Sequence, residues 1–187
     1  GPLSPTDSSA IADFGVVIAD LNLIRPEFVL HTGDLVNEGE LESYLGMFEM
    51  SQAQAALMRL ESPVFVVSGN HDLGGWQATA MPDGTARKNW WKLFGWPWLE
   101  NPPAGDAHHS QDFSFDFGQL HVTGLEGYIN NGSYDHYRQD IWGAQSFTAE
   151  QMNWLAADLA AVTPGHAKLL FYHYDFGGTL ANGSPGS

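Results

Sequence analysis

The chain has 187 residues, 43% of them hydrophobic and 13% aromatic, which is the length and make-up of a single folded domain with a real core. Seven basic and twenty-two acidic residues leave a net charge of −15, which argues against general nucleic-acid binding and suits both solubility and cation capture. There is no cysteine, so disulfides and thiolate metal sites are excluded and any metal must be held by His, Asp, Glu, Asn or water.

Gly1-Pro2-Leu3-Ser4 resembles a protease-cleavage scar, so the natural start is expected to lie elsewhere. Ser8 or Ser9 can cap a first helix, with Ile11, Phe14, Ile18 and Leu21 at helical spacing and Pro26 ending it. Phe28 to Thr32 reads as a short buried strand that runs into Gly33-Asp34. A long helix is predicted from about Glu40 to Leu60, with Leu41, Tyr44, Leu45, Phe48, Leu57 and Leu60 on its apolar face and Pro63 after it. Val64 to Val67 is a second buried strand, and it runs into Ser68-Gly69-Asn70-His71-Asp72.

Residues 74–112 are rich in Gly, Pro and Trp and read as an insertion that shapes a cleft, with a short helix around Arg87 to Phe94. Phe113 to Phe117, Gly118-Gln119 and Leu120 to Leu125 read as a hairpin. Thr148 and Gln151 fit a capping box for a helix to about Val162, with Met152, Leu155 and Leu159 on its buried face. Ala167 to Tyr172 is a third strand, and it delivers His173. Asn131 and Asn182 begin glycosylation sequons, a triplet that also arises by chance. No apolar run approaches the roughly 20 residues of a membrane span, and no signal peptide is visible.

Three strand ends therefore carry the candidate chemistry, in the place where open α/β sheets put their ligands. Asp34 can bridge two cations, because its oxygens can point to different metals; the alternative is a turn or capping Asp. Gly69 allows a tight strand exit, and Asn70 can offer a neutral amide oxygen to a metal. His71 is placed as a proton donor or transition-state stabiliser, with Asp72 orienting its imidazole. An ordinary turn rich in Gly, Asn and Asp is the alternative for this run. His173 is a natural imidazole ligand at a strand end, and a packed core histidine otherwise. His31, His108, His109, His121, His136 and His166 read as structural or surface residues, with His31, inside the strand before Asp34, pointing either to the opposite face or to the layer just behind the site.

Taken in order, strand–Gly33-Asp34, strand–Gly69-Asn70-His71-Asp72, an aromatic hairpin, the Gln151–Trp154-Leu155–Leu159 helix and strand–His173 resemble the calcineurin-like metallophosphoesterases, over about residues 8 to 178. The resemblance implies an α/β fold of two facing mixed sheets flanked by helices, a four-layer sandwich. It also implies a dinuclear centre of divalent or trivalent manganese, iron or zinc that hydrolyses a small phosphoester by attack of a metal-bound hydroxide. Asp34 would bridge the metals, Asn70 and His173 would bind the second one, and His71 would assist the leaving group. The segment Gly33 to Glu40 is most similar to the class III cyclic-nucleotide phosphodiesterases, which favours diester substrates. Purple acid phosphatases carry a tyrosine ligand where this chain has Asn37.

Two family motifs have no counterpart. Asp7-Ser8-Ser9 and Asp13-Phe14-Gly15 lack the histidine of the family's opening Asp-x-His, and Gly165-His166-Ala167-Lys168 lacks the second histidine of its closing Gly-His-x-His. The expectation is a partial domain, incomplete at both ends and weakly active alone. A non-catalytic binding module on the same scaffold is the competing reading. The acidic, Trp-rich and cysteine-free make-up is compatible with a bacterial exported protein, with the cytoplasm as the alternative.

Overall fold

A computed structural model describes residues 8–36, 44–73, 90, 92–94, 112–126, 147 and 149–173. In chain order the elements are α1 (Ser8–Ile24), β1 (Val29–His31), α2 (Tyr44–Leu57), β2 (Val64–Val66), α3 (Asn70–Leu73), β3 (Phe113–Phe117), β4 (Leu120–Gly124), α4 (Ala149–Ala161) and β5 (Ala167–Phe171). β1 and β2 pair in parallel, with Val29 opposite Val64 and His31 opposite Val66. The second sheet has the order β3-β4-β5; β3 is antiparallel to β4, and β4 is parallel to β5.

Side-chain alternation along the strands builds the layers. Val64 and Val66 of β2 face a helical core made of Leu35, Val36, Met50, Ala53, Leu57, Trp90 and Phe94. Phe65, one residue out of phase, turns the other way and meets Val67, Phe113, Val122 and Phe171. Its ring stacks on Phe115 with centroids 4.0 Å apart, and Phe28 meets both edge-on. The two sheets therefore face each other across a phenylalanine layer, in which the buried Phe113 and Phe171 rings each contribute roughly 1.5–3 kcal/mol and the half-buried Phe28, Phe65 and Phe115 less. Ser114 and Thr123 point from the far side of the second sheet and bond Asp158 on α4. This is the expected α/β arrangement of two facing sheets with helices outside. Among the described residues only β3-β4-β5 is mixed, and β1–β2 is parallel.

The boundaries differ from expectation for local reasons. α1 begins at Ser8 itself, so its cap lies outside the described residues. It ends where Arg25 adopts φ 54 and returns its N–H to the Leu21 carbonyl, after which Pro26 cannot continue the helix. α2 stops at Leu57, three residues early, because Arg59 and Leu60 close onto Ala56 and Leu57 in tight three-residue turns. Residues 40–43 lie outside the described part, and the observed buried stripe is Met50, Ala53 and Leu57 together with Glu49. The β3–β4 turn is Gly118-Gln119 with φ 59 at the glycine, a conformation that suits a residue without a Cβ. β5 is exposed along four of its five residues, Leu169 and Leu170 included. No helix among the described residues is long and apolar enough to cross a membrane.

Residues 1–4 (expected as a cleavage scar), the sequon triplets at Asn131 and Asn182, Asn37, Thr148, and nearly all of residues 74–112, expected as an insertion, lie outside the described residues. Of that insertion, Trp90 and Phe94 are seen buried against α2, their rings 4.6 Å apart.

Candidate metal centre at the strand ends

β1 leaves its sheet through two left-handed residues, Gly33 at φ 95 and Asp34 at φ 53. For a residue with a side chain that conformation costs roughly 1–2 kcal/mol, although Asp tolerates it better than most. The turn is held from inside. The Gly33 N–H donates to Nδ1 of His31 at 3.2 Å, which requires that nitrogen to be unprotonated. Burial, and then the nearby His173 charge, pull the His31 pKa down and favour that neutral form.

β2 leaves through buried Val67, Ser68 and Gly69 into the single turn α3. Asp72, fully buried on that turn, ties the two exits together: Oδ1 accepts the Val36 N–H at 3.1 Å and Oδ2 accepts the Gly69 N–H at 2.7 Å. Burial pushes its carboxyl up to about 7 against the pull of those two donors. Asp72 was expected to orient the His71 imidazole; the two bonds seen here give it a bracing role that the sequence did not suggest. Its oxygens engage main-chain N–H groups because α3 turns the carboxylate back toward the β1 exit.

β5 delivers His173 to the same place. Nδ1 donates to the Thr32 carbonyl at 2.7 Å, across 141 residues of sequence, and Nε2 lies 3.3 Å from Oδ2 of Asp34. Oδ1 of Asp34 accepts the His71 main-chain N–H at 3.0 Å. Burial works against charge on Asp34, but the His173 imidazole and the His71 N–H outweigh it and hold the carboxyl below the usual carboxylate range. Burial likewise works against a charged His173, but Asp34 outweighs it and raises the imidazole.

Two glycines make this convergence possible. A Cβ on Gly33 would stand 2.7 Å from the Gly69 nitrogen and 2.9 Å from Nδ1 of His173. A Cβ on Gly69 would collide with the Asp34 carboxylate, 2.5 Å from the Asp34 nitrogen. The β1 and β2 exits touch backbone to backbone, and only a residue without a side chain fits there.

The structure therefore brings together Asp34, His71, Asp72 and His173, from three separate strand ends. The side chain of Asn70 lies outside the described residues, although its backbone opens α3. Donor chemistry fits a hard or borderline cation in part. An anionic oxygen faces an imidazole nitrogen whose ring partner is fixed on a carbonyl, the usual way of presenting a metal-ligating histidine. Among the described residues no three His, Cys, Asp or Glu side chains come together as a ready metal site.

Sequence reasoning passed over a second polar group at the end of β4. The Gln151 side-chain amide donates to Oδ1 of Asp112 at 2.9 Å and to the Glu126 carbonyl at 2.9 Å, while the Glu126 N–H donates to Oδ1 of Asp112 at 2.8 Å. All three residues are fully buried. Gln151 was expected in a capping box with Thr148, which lies outside the described residues; its amide hydrogens fasten α4 to the two ends of the hairpin. The signal was a polar residue two strands away, which no local pattern reveals.

A family model described as calcineurin-like phosphoesterase matches residues 9–182. Among solved structures, a purple acid phosphatase from yellow lupin (Lupinus luteus) seeds superposes with a TM-score of 0.61 at 17% identity, over 95% of this chain and 29% of that one. A dimetal phosphatase from Danio rerio superposes with a TM-score of 0.60 at 14% identity, over 90% of this chain and 61% of that one. At these identities the likeness is one of fold, and this chain spans less than two thirds of either. No curated protein sequence matches it at a significant level.

Proposed function

The chain belongs to the calcineurin-like phosphoesterase family, and on that premise we propose that the protein it represents hydrolyses phosphoester bonds at a two-metal centre built on Asp34. The observation that carries this reading is the Asp34–His173 contact: Oδ2 and Nε2 stand 3.3 Å apart, and His173 is locked by its other nitrogen on Thr32. The printed description of the Danio rerio neighbour as a dimetal phosphatase supports a dinuclear site.

Asp34 would hold both cations through its two oxygens, with Asn70 and His173 completing the second position. Manganese, iron or zinc suits such donors. Bound cations would supply Lewis-acid stabilisation of the phosphoryl oxygens and acidify water. For this role His173 must be neutral, and donation from Nδ1 to the Thr32 carbonyl selects the tautomer whose Nε2 carries no hydrogen. His71 sits one residue beyond Asn70, with its main chain anchored on Asp34, where its imidazole can give a proton to the leaving oxygen. Asp72 acts as a brace, keeping the Val36 and Gly69 loops in register.

A small phosphodiester is the proposed substrate, from the Gly33–Glu40 segment. A polyanionic nucleic acid fits a net charge of −15 poorly. The test is manganese-dependent hydrolysis of bis-p-nitrophenyl phosphate by wild type and Asn70→Ala, with p-nitrophenyl phosphate as the monoester control. Turnover that falls at least about tenfold in the variant is expected. Equal turnover by both proteins would sink the assignment. The second reading, a binding module on the same scaffold, is favoured by the lack of a three-ligand group among the described residues. It predicts a folded chain that gains no turnover with any of the three metals.

A further inference from the structure

The outer face of the second sheet carries a polar cluster remote from the strand ends. His121 on β4 is 6% exposed, and both of its ring nitrogens meet carboxylates. Nδ1 is 2.8 Å from Oδ1 of Asp116 on β3, and Nε2 is 2.9 Å from Oδ2 of Asp158 on α4. Asp158 is further filled by the Ser114 hydroxyl at 2.7 Å and the Thr123 hydroxyl at 3.1 Å. Among the described residues, the charged groups facing the ring are thus Asp116 from β3, Asp158 from α4 and, opposite His121 in the β4–β5 register, Lys168 from β5. Lys168 is drawn aside, donating to the Leu159 carbonyl at 2.7 Å.

A carboxylate oxygen can only accept, so two such contacts at once require a hydrogen on each ring nitrogen. A neutral imidazole has one hydrogen and would turn a lone pair toward the other carboxylate. We propose that His121 is a proton-operated latch between the β3–β4 hairpin and α4: the doubly protonated ring joins Asp116 to Asp158, and loss of one proton releases one arm. Burial opposes the charged ring, but the hydrogen bonds and charges of Asp158 and Asp116 outweigh it and raise the imidazole above its ordinary value. Stability from the latch is therefore complete below the free-histidine value of 6.5 and is lost as pH rises through the raised one. Because α4 also carries Gln151, the released arm loosens the element that fastens Asp112 and Glu126. This inference stands apart from any phosphoesterase activity.

Urea unfolding of the metal-free chain from about pH 5 to about pH 9, for wild type, His121→Gln and Asp116→Asn, reads the latch directly. Between the two ends of that range the wild-type folded-to-unfolded ratio is expected to fall about tenfold further than that of His121→Gln, the worth of one charge-assisted hydrogen bond. His31, His173 and Asp72 titrate in both proteins and cancel in the difference. Proton NMR of the His121 ring should give a midpoint above 6.5 in wild type that drops in Asp116→Asn. Asp116 has a largely exposed side chain, so that variant folds and carries the test even where His121→Gln does not. A midpoint at or below 6.5, or one unmoved in Asp116→Asn, would overturn the latch, as would matching pH profiles for wild type and His121→Gln.

Discussion

His173 and Asp34 set each other's charge: with Nε2 3.3 Å from Oδ2, the carboxylate raises the imidazole and the imidazole lowers the carboxyl. The pair thus holds a proton on His173 more firmly than a free histidine would. A metal must displace that proton, so binding is expected to weaken as pH falls below the raised His173 value. Calorimetric titration with manganese in buffers of different ionisation heat should show proton release near neutral pH. No buffer dependence would argue against His173 as a ligand.

Asp34→Asn removes the charge and one competent oxygen at the centre of the site. Manganese affinity is expected to drop by well over tenfold, since even outer-shell substitutions at metal sites cost about 10–100-fold. The His71 N–H keeps a carbonyl acceptor in that variant, so the fold should survive. Circular dichroism alongside the titration separates lost binding from lost structure.

Gly69→Ala asks the backbone to make room that it lacks. The added methyl meets the Asp34 nitrogen at 2.5 Å and the His173 ring at 2.9 Å. Overpacking of this kind costs about 1–3 kcal/mol, and metal binding should fall with it because both ligands move. A lowered urea midpoint with unchanged slope is the expected signature.

Asp72 gives a pH prediction with a definite sign. Its folded value of about 7 exceeds its ordinary 3.8, so the folded chain holds a proton that the unfolded chain has released. Stability is fully present below about 3.8 and is lost as pH rises through about 7, by an amount on the order of a few kcal/mol. Asp72→Asn removes that slope. Because an amide does not titrate, the stability difference is expected to move in favour of the variant by that amount between about pH 5 and about pH 8. Parallel pH profiles for the two proteins would contradict this account.

Gln151→Leu leaves Asp112 and the Glu126 carbonyl without that donor in a fully buried setting. A cost of about 1–3 kcal/mol or more is expected, read from chemical unfolding. Gln151→Glu should be worse near neutral pH, since it places a carboxylate against Asp112.

What the sequence revealed and what it hid divide along the range of the interactions. β1, β2 and the β3–β4 hairpin were legible to within a residue or two, because apolar runs bounded by Gly and Pro are local signals. The partners of Asp72 were not, since Val36 is 36 residues distant and the bond depends on the turn of α3. The His121 latch was equally hidden: it reads as one of eight scattered histidines until the fold sets Asp158 beside it. Met50 and Ala53 were missed on α2 because Leu41, Tyr44 and Leu45, nearer the helix start, drew the expected stripe along a different line.

The bond from His173 to the Thr32 carbonyl closes a ring of chain 141 residues around. Closing a loop of that size is entropically costly, though the cost grows only logarithmically with its length. Docking of the two sheets through the phenylalanine layer helps to meet that cost, because it already holds β1 and β5 in one body. A cation bound at Asp34, as proposed, would report on completeness of the fold as much as on chemistry. It would tie the end of β1 to the end of β5, the first and last strands among the described residues, and its removal should loosen both at once.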